Sequence, residues 1–370
     1  MMEDLTVLDE TKDLRETIDA FANGEMIVVK DDDGRENEGD LIVAAAHCTS
    51  EKMAFIVRHS SGIVCTPISA SRAAELNLGP MVVQNDAPHS TAFTQSIDFK
   101  HGTTTGISAD DRTLTARNLA NPNAGADDFV RPGHIFPLVS REGGTLIRSG
   151  HTEAATDLCR LAGLPEVGVI CELVNDDGSV KRGPELDVFA KEHGLRVMTV
   201  ADLIAYRQRT ERLVEHIQTD TVRTLGGDAE VKVFKVKWDA THHLALVFGI
   251  PKGGAVPVRF HVENALKDVF SDDGVSRGVI ERMGREKSGI VIYLREGSVG
   301  VRQDDEDHHE VQQRSRDWRE VGLGAQILRS LNVSRISLLA SKSRRYVGLE
   351  GFGIEIDKTV LIDDFAREGV

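Results

Sequence analysis

The chain has 370 residues and a formal net charge of -15, from 44 Lys and Arg against 59 Asp and Glu. That length accommodates two domains, each with its own core, and a composition 40% hydrophobic and 28% charged excludes disordered, fibrous and collagen-like classes. So acidic a chain is not expected to bind nucleic acid without regard to sequence, because displacing counterions takes cationic surface; an anionic ligand must meet positive charge gathered locally.

Taken from the start, Met1-Met2-Glu3-Asp4 has neither a basic n-region nor an apolar h-region, so no signal peptide is expected. No apolar run reaches the length of a membrane span. Leu14, Ile18 and Phe21 fall at helical spacing, with Gly24 as the stop. Met26 to Val29 reads as a buried strand, and Leu41 to Ala46 as another beyond the polar segment Asp31 to Asp40. Ser50 can cap a helix carrying Met53, Ile56 and Val57. Ile63 to Thr66 reads as a strand, Ser69 can cap the next helix, and Ser108 or Asp110 opens another. Arg131 to His134 reads as a loop before the apolar stretch Ile135 to Val139, and Leu146 and Ile147 as the end of a strand. Thr152 to Leu161 reads as a helix, Val167 to Val174 as a strand, Pro184 as the first turn of a helix, and Leu195 to Val200 as a strand. This alternation points to a mixed α/β layer fold. Ala201 to Ile217 reads as a charge-laced helical linker. Beyond it Glu230 to Trp238 alternates Val and Phe with Lys and can pair with Leu244 to Gly249, so the domain boundary is placed near Arg209. Cys48, Cys65, Cys159 and Cys171 lack CxxC spacing and read as free thiols of a reducing cytoplasm; no cysteine follows Cys171.

Three constellations can carry chemistry. Asp31 to Asp40 is a dense polar cluster between two buried strands, and an extended backbone would point Glu36, Glu38 and Asp40 to one side. Hard oxygen ligands of this kind suit magnesium or manganese, and Arg35 can pair with a phosphate; a bare acidic loop would otherwise be read as solvated surface. Arg148-Ser149-Gly150-His151-Thr152-Glu153 precedes a helix whose N-terminal N–H groups make an anion site, with Gly150 allowing close approach. His151 can complete a metal site with Glu36 or move a proton. Glu172 shares a strand face with Ile170 and Val174, where a carboxylate is expensive unless paired or used, so it is a general-base candidate; alternatively it reaches solvent at the strand end. His134, between Gly133 and an apolar run, is a further acid–base candidate, although isolated histidines of this kind are usually only hydrogen-bonded. Thr103 to Gly106 can add donors to a phosphate or merely lead into a helix.

These segments appear in order as Asp33-Gly-Arg-Glu-Asn-Glu-Gly-Asp40, His59-Ser-Ser-Gly-Ile-Val-Cys65, Thr104-Thr-Gly-Ile-Ser108, Arg131-Pro-Gly-His-Ile-Phe-Pro137, Ser149-Gly-His-Thr-Glu-Ala154 and Cys171-Glu-Leu-Val-Asn175. Together, across roughly residues 5 to 207, they resemble the 3,4-dihydroxy-2-butanone 4-phosphate synthases, with Ser60 and Ser149 as mild departures. The resemblance implies an α/β sandwich over residues 1–208 and a lyase of riboflavin biosynthesis, cytoplasmic and homodimeric, with its active site near the subunit interface. It implies magnesium or manganese held by Glu36 and His151. Arg35, Glu36, Asp40, Arg148, Ser149, Gly150, His151, Thr152 and Glu172 would contact the sugar phosphate, and His134 and Glu172 would be catalytic.

Residues from about 221 to 365 resemble GTP cyclohydrolase II in eroded form, within a second α/β domain placed over 209–370. Arg259-Phe-His-Val-Glu263 and Asp317-Trp-Arg-Glu-Val-Gly-Leu-Gly-Ala325 follow that family's segments. Asn264 stands in place of a zinc-binding cysteine, Asp272 to Ser276 in place of the Cys-x-Cys region, Arg295 to Ser298 keeps only part of a nucleotide-contacting pattern, and Ala340 replaces a threonine. Without thiolates no such zinc site forms, so neither zinc nor cyclohydrolase activity is expected from this half. A substitute site from His261, His308 and His309 would be needed for a bifunctional enzyme. A third alternative is a docking or nucleotide-sensing module for other proteins of the pathway.

Overall fold

The computed structural model describes residues 2–32, 35–251, 253–264, 268, 277–295, 321–340, 349 and 352–362, with backbone alone at 2–11 and 239–240. The chain divides into two compact units, Met1–Tyr206 and Arg207–Val370.

The first unit is built on a seven-stranded sheet in the order β4-β5-β3-β6-β2-β1-β7. The strands are β1 (Ile27–Lys30), β2 (Gly39–Ala44), β3 (Cys65–Ile68), β4 (Ile97–Phe99), β5 (Phe129–Val139), β6 (Gly168–Glu172) and β7 (Arg196–Thr199). Alternation along each strand divides its side chains between two cores. Ile27, Val29, Ile42, Ala44 and Ile170 pack on α1 (Met2–Ala22), α5 (His151–Leu161) and α7 (Val200–Thr210) through Phe21, Leu158 and Leu203. Val28, Leu41, Val43 and Cys171 face the opposite way, onto α2 (Ser50–His59), α4 (Ala109–Leu119) and α6 (Pro184–His193) through Ile56, Leu119 and Phe189. Burial on both faces is why β1 and β2 read as almost unbroken apolar runs. The result is an α/β sandwich.

Several elements differ from their sequence reading, each for a local reason. The cap of α2 is Thr49, whose side chain accepts from Lys52 N, while Ser50 is the first helical residue. Strand β3 begins two residues later than expected, at Cys65. Residues 131–134 belong to β5 rather than to a loop, because β5 bulges against β4 and the register passes from Ile97↔Ile135 to Asp98↔Val130. Leu146 closes a 3-10 turn, Gly144–Leu146, instead of a strand. Gly143 and Gly144 take φ of +89° and +62° there, and Asp157 Oδ2 accepts from Thr145 N and Oγ1 at 2.8 and 2.7 Å. The helix after β7 stops at Thr210, and a strand starts at Val214, so the expected linker helix is cut short.

The second unit has its own seven-stranded sheet, in the order β14-β13-β11-β12-β10-β9-β8. Strands β8 (Val214–Thr224), β9 (Gly227–Val236) and β10 (Asp239–Gly249) form an antiparallel meander. Residues Asp239 to His243, which separate the two expected strands, are part of β10. Strands β11 (Val256–Val262), β12 (Gly289–Leu294), β13 (Arg335–Ala340) and β14 (Glu355–Leu361) are mutually parallel. Helix α8 (Arg277–Glu286) covers one face through Val279 and Met283, and the helical residues 321–330 cover the other through Leu323, Ile327 and Leu328.

Candidate active site

The β1–β2 connection, the start of β2, the end of β6 and the first turn of α5 meet at one end of the neighbouring strands β6, β2 and β1. Asp31 organises the connection. Its fully buried carboxylate accepts Arg35 Nη1 at 2.8 Å and the backbone N–H groups of Glu36 and Glu38 at 3.2 and 2.9 Å. This grip folds the chain into a turn at Arg35–Glu36, with Asn37 at φ +54°, so the expected extended run does not exist. Glu38 turns away to pair with Arg182 at 3.0 Å, and Asp31 takes its place beside Glu36. Arg35 Nη1 also donates to Glu36 Oε2 at 2.8 Å, supplying the positive charge that lets two carboxylates approach.

His151 enters from the N-terminus of α5. Its Nε2 lies 3.1 Å from the carbonyl of Val29, which can only accept, so Nε2 carries the proton and Nδ1 keeps its lone pair. Ligand atoms of Asp31, Glu36 and His151 all lie within 4.8 Å of one another. Glu36 and His151, paired on sequence grounds, are therefore neighbours, and Asp31 is a third potential ligand that the sequence reading missed. Its one signal is its position as the first carboxylate after a buried strand.

Asp40 faces Glu172 across the β2–β6 ladder. Burial, reinforced by Glu172, Glu36, Asp31 and Glu38, pushes the Asp40 carboxyl well above the usual carboxylate range. Its Oδ1 has no hydrogen-bond partner and lies 3.6 Å from His151 Nδ1. An unsatisfied buried polar atom costs about 1–3 kcal/mol, and a bound ligand removes that cost. Burial also lowers the His151 pKa, against the pull of Asp31 and Glu36, and keeps the imidazole in the neutral form that a metal requires. Two carboxylates, a neutral imidazole and an orphaned buried oxygen fit a hard divalent cation. Glu172 itself accepts Ser61 Oγ at 2.8 Å.

Arg148 donates to the buried Glu153 at 2.7 Å and to Thr91 Oγ1 at 3.0 Å, and it reaches the carbonyl of His89. His89 Nε2 in turn lies 3.5 Å from Glu36 Oε1, which ties Arg148 to the acidic loop. No periodic pattern marks His89 in the sequence. Gly150 caps α5 without a side chain, and an added Cβ would meet Arg148 Nη1 and Glu153 Oε2. Ser149 is half-buried and Thr152 buried in the first turn of α5. His134 lies two strands away from Glu172 in the sheet. It sits on β5, separated from β6 by β3, and its partner is Asp98 on β4, 2.7 Å from Nδ1. Thr104 does not offer a free hydroxyl: it donates to Asp111 Oδ2 at 2.7 Å, and with the Thr104 backbone N–H it holds that carboxyl down to about 2. A separate groove of about 620 Å³ between α2 and α4, lined by Ser50, Asp110 and Arg117, contains none of the metal-binding candidates.

In the second unit, His261 Nε2 lies 2.8 Å from Asp268 Oδ1, and Asp268 Oδ2 accepts Tyr293 OH at 2.8 Å and Asn264 N at 2.9 Å. The His261 and Tyr293 rings stack at 5.3 Å. Burial pushes Asp268 up, but these hydrogen bonds outweigh it and leave the carboxyl below its usual range. Ala340 is buried at the end of β13. Asp272 to Ser276, Ser298, His308, His309 and Asp317 to Glu320 lie outside the described residues.

Residues 15–206 match the 3,4-dihydroxy-2-butanone 4-phosphate synthase family, and residues 215–361 match GTP cyclohydrolase II. The chain belongs to the 3,4-dihydroxy-2-butanone 4-phosphate synthase family, lyases of riboflavin biosynthesis, and carries a second, cyclohydrolase-II-like domain. Among curated relatives from Arabidopsis thaliana, it is 42% identical to the monofunctional riboflavin biosynthesis protein RIBA 2, over 97% of this chain and 81% of that one. It is 43% identical to the bifunctional RIBA 1, over 92% of this chain and 67% of that one. Among solved structures, RibBX, a two-domain 3,4-dihydroxy-2-butanone 4-phosphate synthase from A. baumannii, aligns with a TM-score of 0.79 at 35% identity, covering 94% of this chain and 98% of its own. A 3,4-dihydroxy-2-butanone 4-phosphate synthase in complex with two magnesium ions aligns at 48% identity and a TM-score of 0.52, over 53% of this chain and 97% of its own. Among the described residues, no helix is long and apolar enough to cross a membrane.

Proposed function

We propose that the chain converts D-ribulose 5-phosphate to 3,4-dihydroxy-2-butanone 4-phosphate and formate, using magnesium or manganese, and that its second domain hydrolyses no GTP. The observation that carries this reading is the convergence of Asp31, Glu36 and His151 beside the buried, unpartnered Oδ1 of Asp40. Asp31, Glu36 and His151 would hold a dication, which polarises sugar oxygens and stabilises the charge that develops on them. The remaining steps belong to the side chains. Asp40, buried with an unpartnered Oδ1, would hydrogen-bond a substrate hydroxyl. Arg35, Arg148 and the Ser149-Gly150-His151-Thr152 turn at the head of α5 orient the anionic substrate. Glu172 and His134 move the protons required by enolisation, dehydration and loss of formate.

A homodimer with its active site near the interface fits the exposed apolar side chains Ile63 and Ile107, 54% and 53% exposed, which follow the Ser61 that binds Glu172 and the Gly106 that abuts His134. The cytoplasm, where free thiols persist, is the compartment that suits four unpaired cysteines. The absence of cysteine beyond Cys171 supports a monofunctional enzyme, as do the monofunctional relative and the two-domain synthase. The bifunctional relative favours GTP hydrolysis as the second reading. Formate release from ribulose 5-phosphate with magnesium, abolished by chelation, tests the lyase. GTP turnover with added zinc tests the second domain; a zinc-dependent rate comparable to formate release would overturn the monofunctional reading. A second domain that docks a riboflavin-pathway protein is compatible with either outcome.

A further inference from the structure

The side chain of His134 is 42% exposed, whereas the carboxylate that meets it, Asp98, is only 9% exposed. Asp98 holds His134 at two points: Oδ1 accepts the backbone N–H at 2.8 Å, and Oδ2 lies 2.7 Å from ring Nδ1. The β4–β5 bulge makes this possible by releasing the His134 backbone N–H from the strand ladder toward the Asp98 side chain. Two glycines are fitted to the pair. Gly106, at φ +91°, abuts it so closely that an added Cβ would meet Asp98 Oδ2 and His134 Nδ1, and a Cβ on Gly133 would meet the backbone of Ile97 and Asp98. The turn carrying Gly106 is itself fixed by Asp111, which accepts Gly106 N at 3.0 Å and Thr104 N at 2.9 Å. An incidental pair in the same unit looks different: His101 and Asp128 meet at 3.0 Å with side chains 60% and 34% exposed and a single contact between them.

We propose that Asp98 is the positioning residue of His134, and that it sets the tautomer in which His134 works. Asp98 accepts Nδ1–H, so Nε2, on the far edge of the ring, holds a lone pair and serves as the proton acceptor. The inference rests on the reading of His134 as an acid–base group, and the test separates the two. Formate release by the full chain with magnesium is measured for wild type, His134→Gln, Asp98→Asn and Asp128→Asn. Ring ¹⁵N NMR at pH 8 reports the His134 tautomer. Asn keeps the shape of Asp98 and can still accept the backbone N–H, but its amide presents a donor to Nδ1. The expected result is an Nδ1–H tautomer in wild type. Asp98→Asn switches it to Nε2–H and lowers kcat about 100-fold with KM changed less than about threefold, and Asp128→Asn changes neither. An Nε2–H tautomer in the wild-type protein overturns the proposal even if Asp98→Asn fails to fold. So does an inactive His134→Gln beside an Asp98→Asn that keeps wild-type kcat. A fully active His134→Gln removes the premise instead, whatever Asp98→Asn does.

Discussion

In the first unit Asp40 is buried among Glu172, Glu36, Asp31 and Glu38 with Oδ1 lacking a partner, whereas in the second unit Asp268 accepts bonds from His261, Tyr293 and Asn264. Both sheets have seven strands, and both clusters combine carboxylate and imidazole. They differ in whether the polar groups satisfy one another. A closed hydrogen-bond network specifies structure. A crowd of like charges with an orphaned oxygen is costly in isolation and is relieved by a cation and a substrate. The first cluster has the features of a ligand site, whereas the second joins β11 and β12 through His261 and Tyr293.

The largest effect should come from removing a ligand of the first cluster. Glu36→Gln or His151→Ala is expected to lower formate release by about 10³-fold, measured as kcat with saturating magnesium, without unfolding the protein. Next in size, Asp268→Ala should destabilise the second unit by about 1–3 kcal/mol in urea melts while leaving formate release unchanged. If instead the variant is fully stable and loses activity, the second cluster is not the closed structural network described above. The smallest effect concerns Asp40 in metal-free protein. Its folded-state pKa is raised, so the folded chain binds more protons than the unfolded one above the usual carboxylate range. That contribution to stability is complete below the unfolded pKa and is lost as pH rises through the folded one. With chelator present, Asp40→Asn should therefore raise Tm by a few degrees at a pH well above the usual carboxylate range, and flatten the fall of Tm as pH rises. An unchanged Tm profile would mean that the carboxylates do not strain the empty site.

Much of the sandwich is legible because its strands are buried on both faces: Met26 to Val29 and Leu41 to Ala46 read as strands directly, and Leu14, Ile18 and Phe21 mark their helix. Glu36 and Asp40 stand out as polar groups beside those strands, His151 as part of Arg148 to Glu153 before a helix, and Glu172 as an acid within an apolar strand. What stays hidden depends on tertiary contacts. The 131–134 segment looks like a loop because Pro132 and Gly133 interrupt it, and only the bulge against β4 makes it a strand. Asp31 reads as one of several acids until its buried bonds to the Glu36 and Glu38 amides are seen. Asp98 is a single acid between Ile97 and Phe99, and nothing local ties it to His134, 36 positions away. The helix after Val200 is over-read because Glu211 and Arg212 are as helix-compatible as the residues before them, and β8 claims the chain from Val214.

The central claim is that Asp31, Glu36 and His151 form one divalent-cation site. It is tested most directly by titrating the full chain with Mn²⁺ and following free metal by EPR, in wild type and in Glu36→Gln and His151→Ala. Binding in the wild type that weakens at least about tenfold in each variant is the predicted result. Equal Mn²⁺ affinity in all three proteins would contradict it.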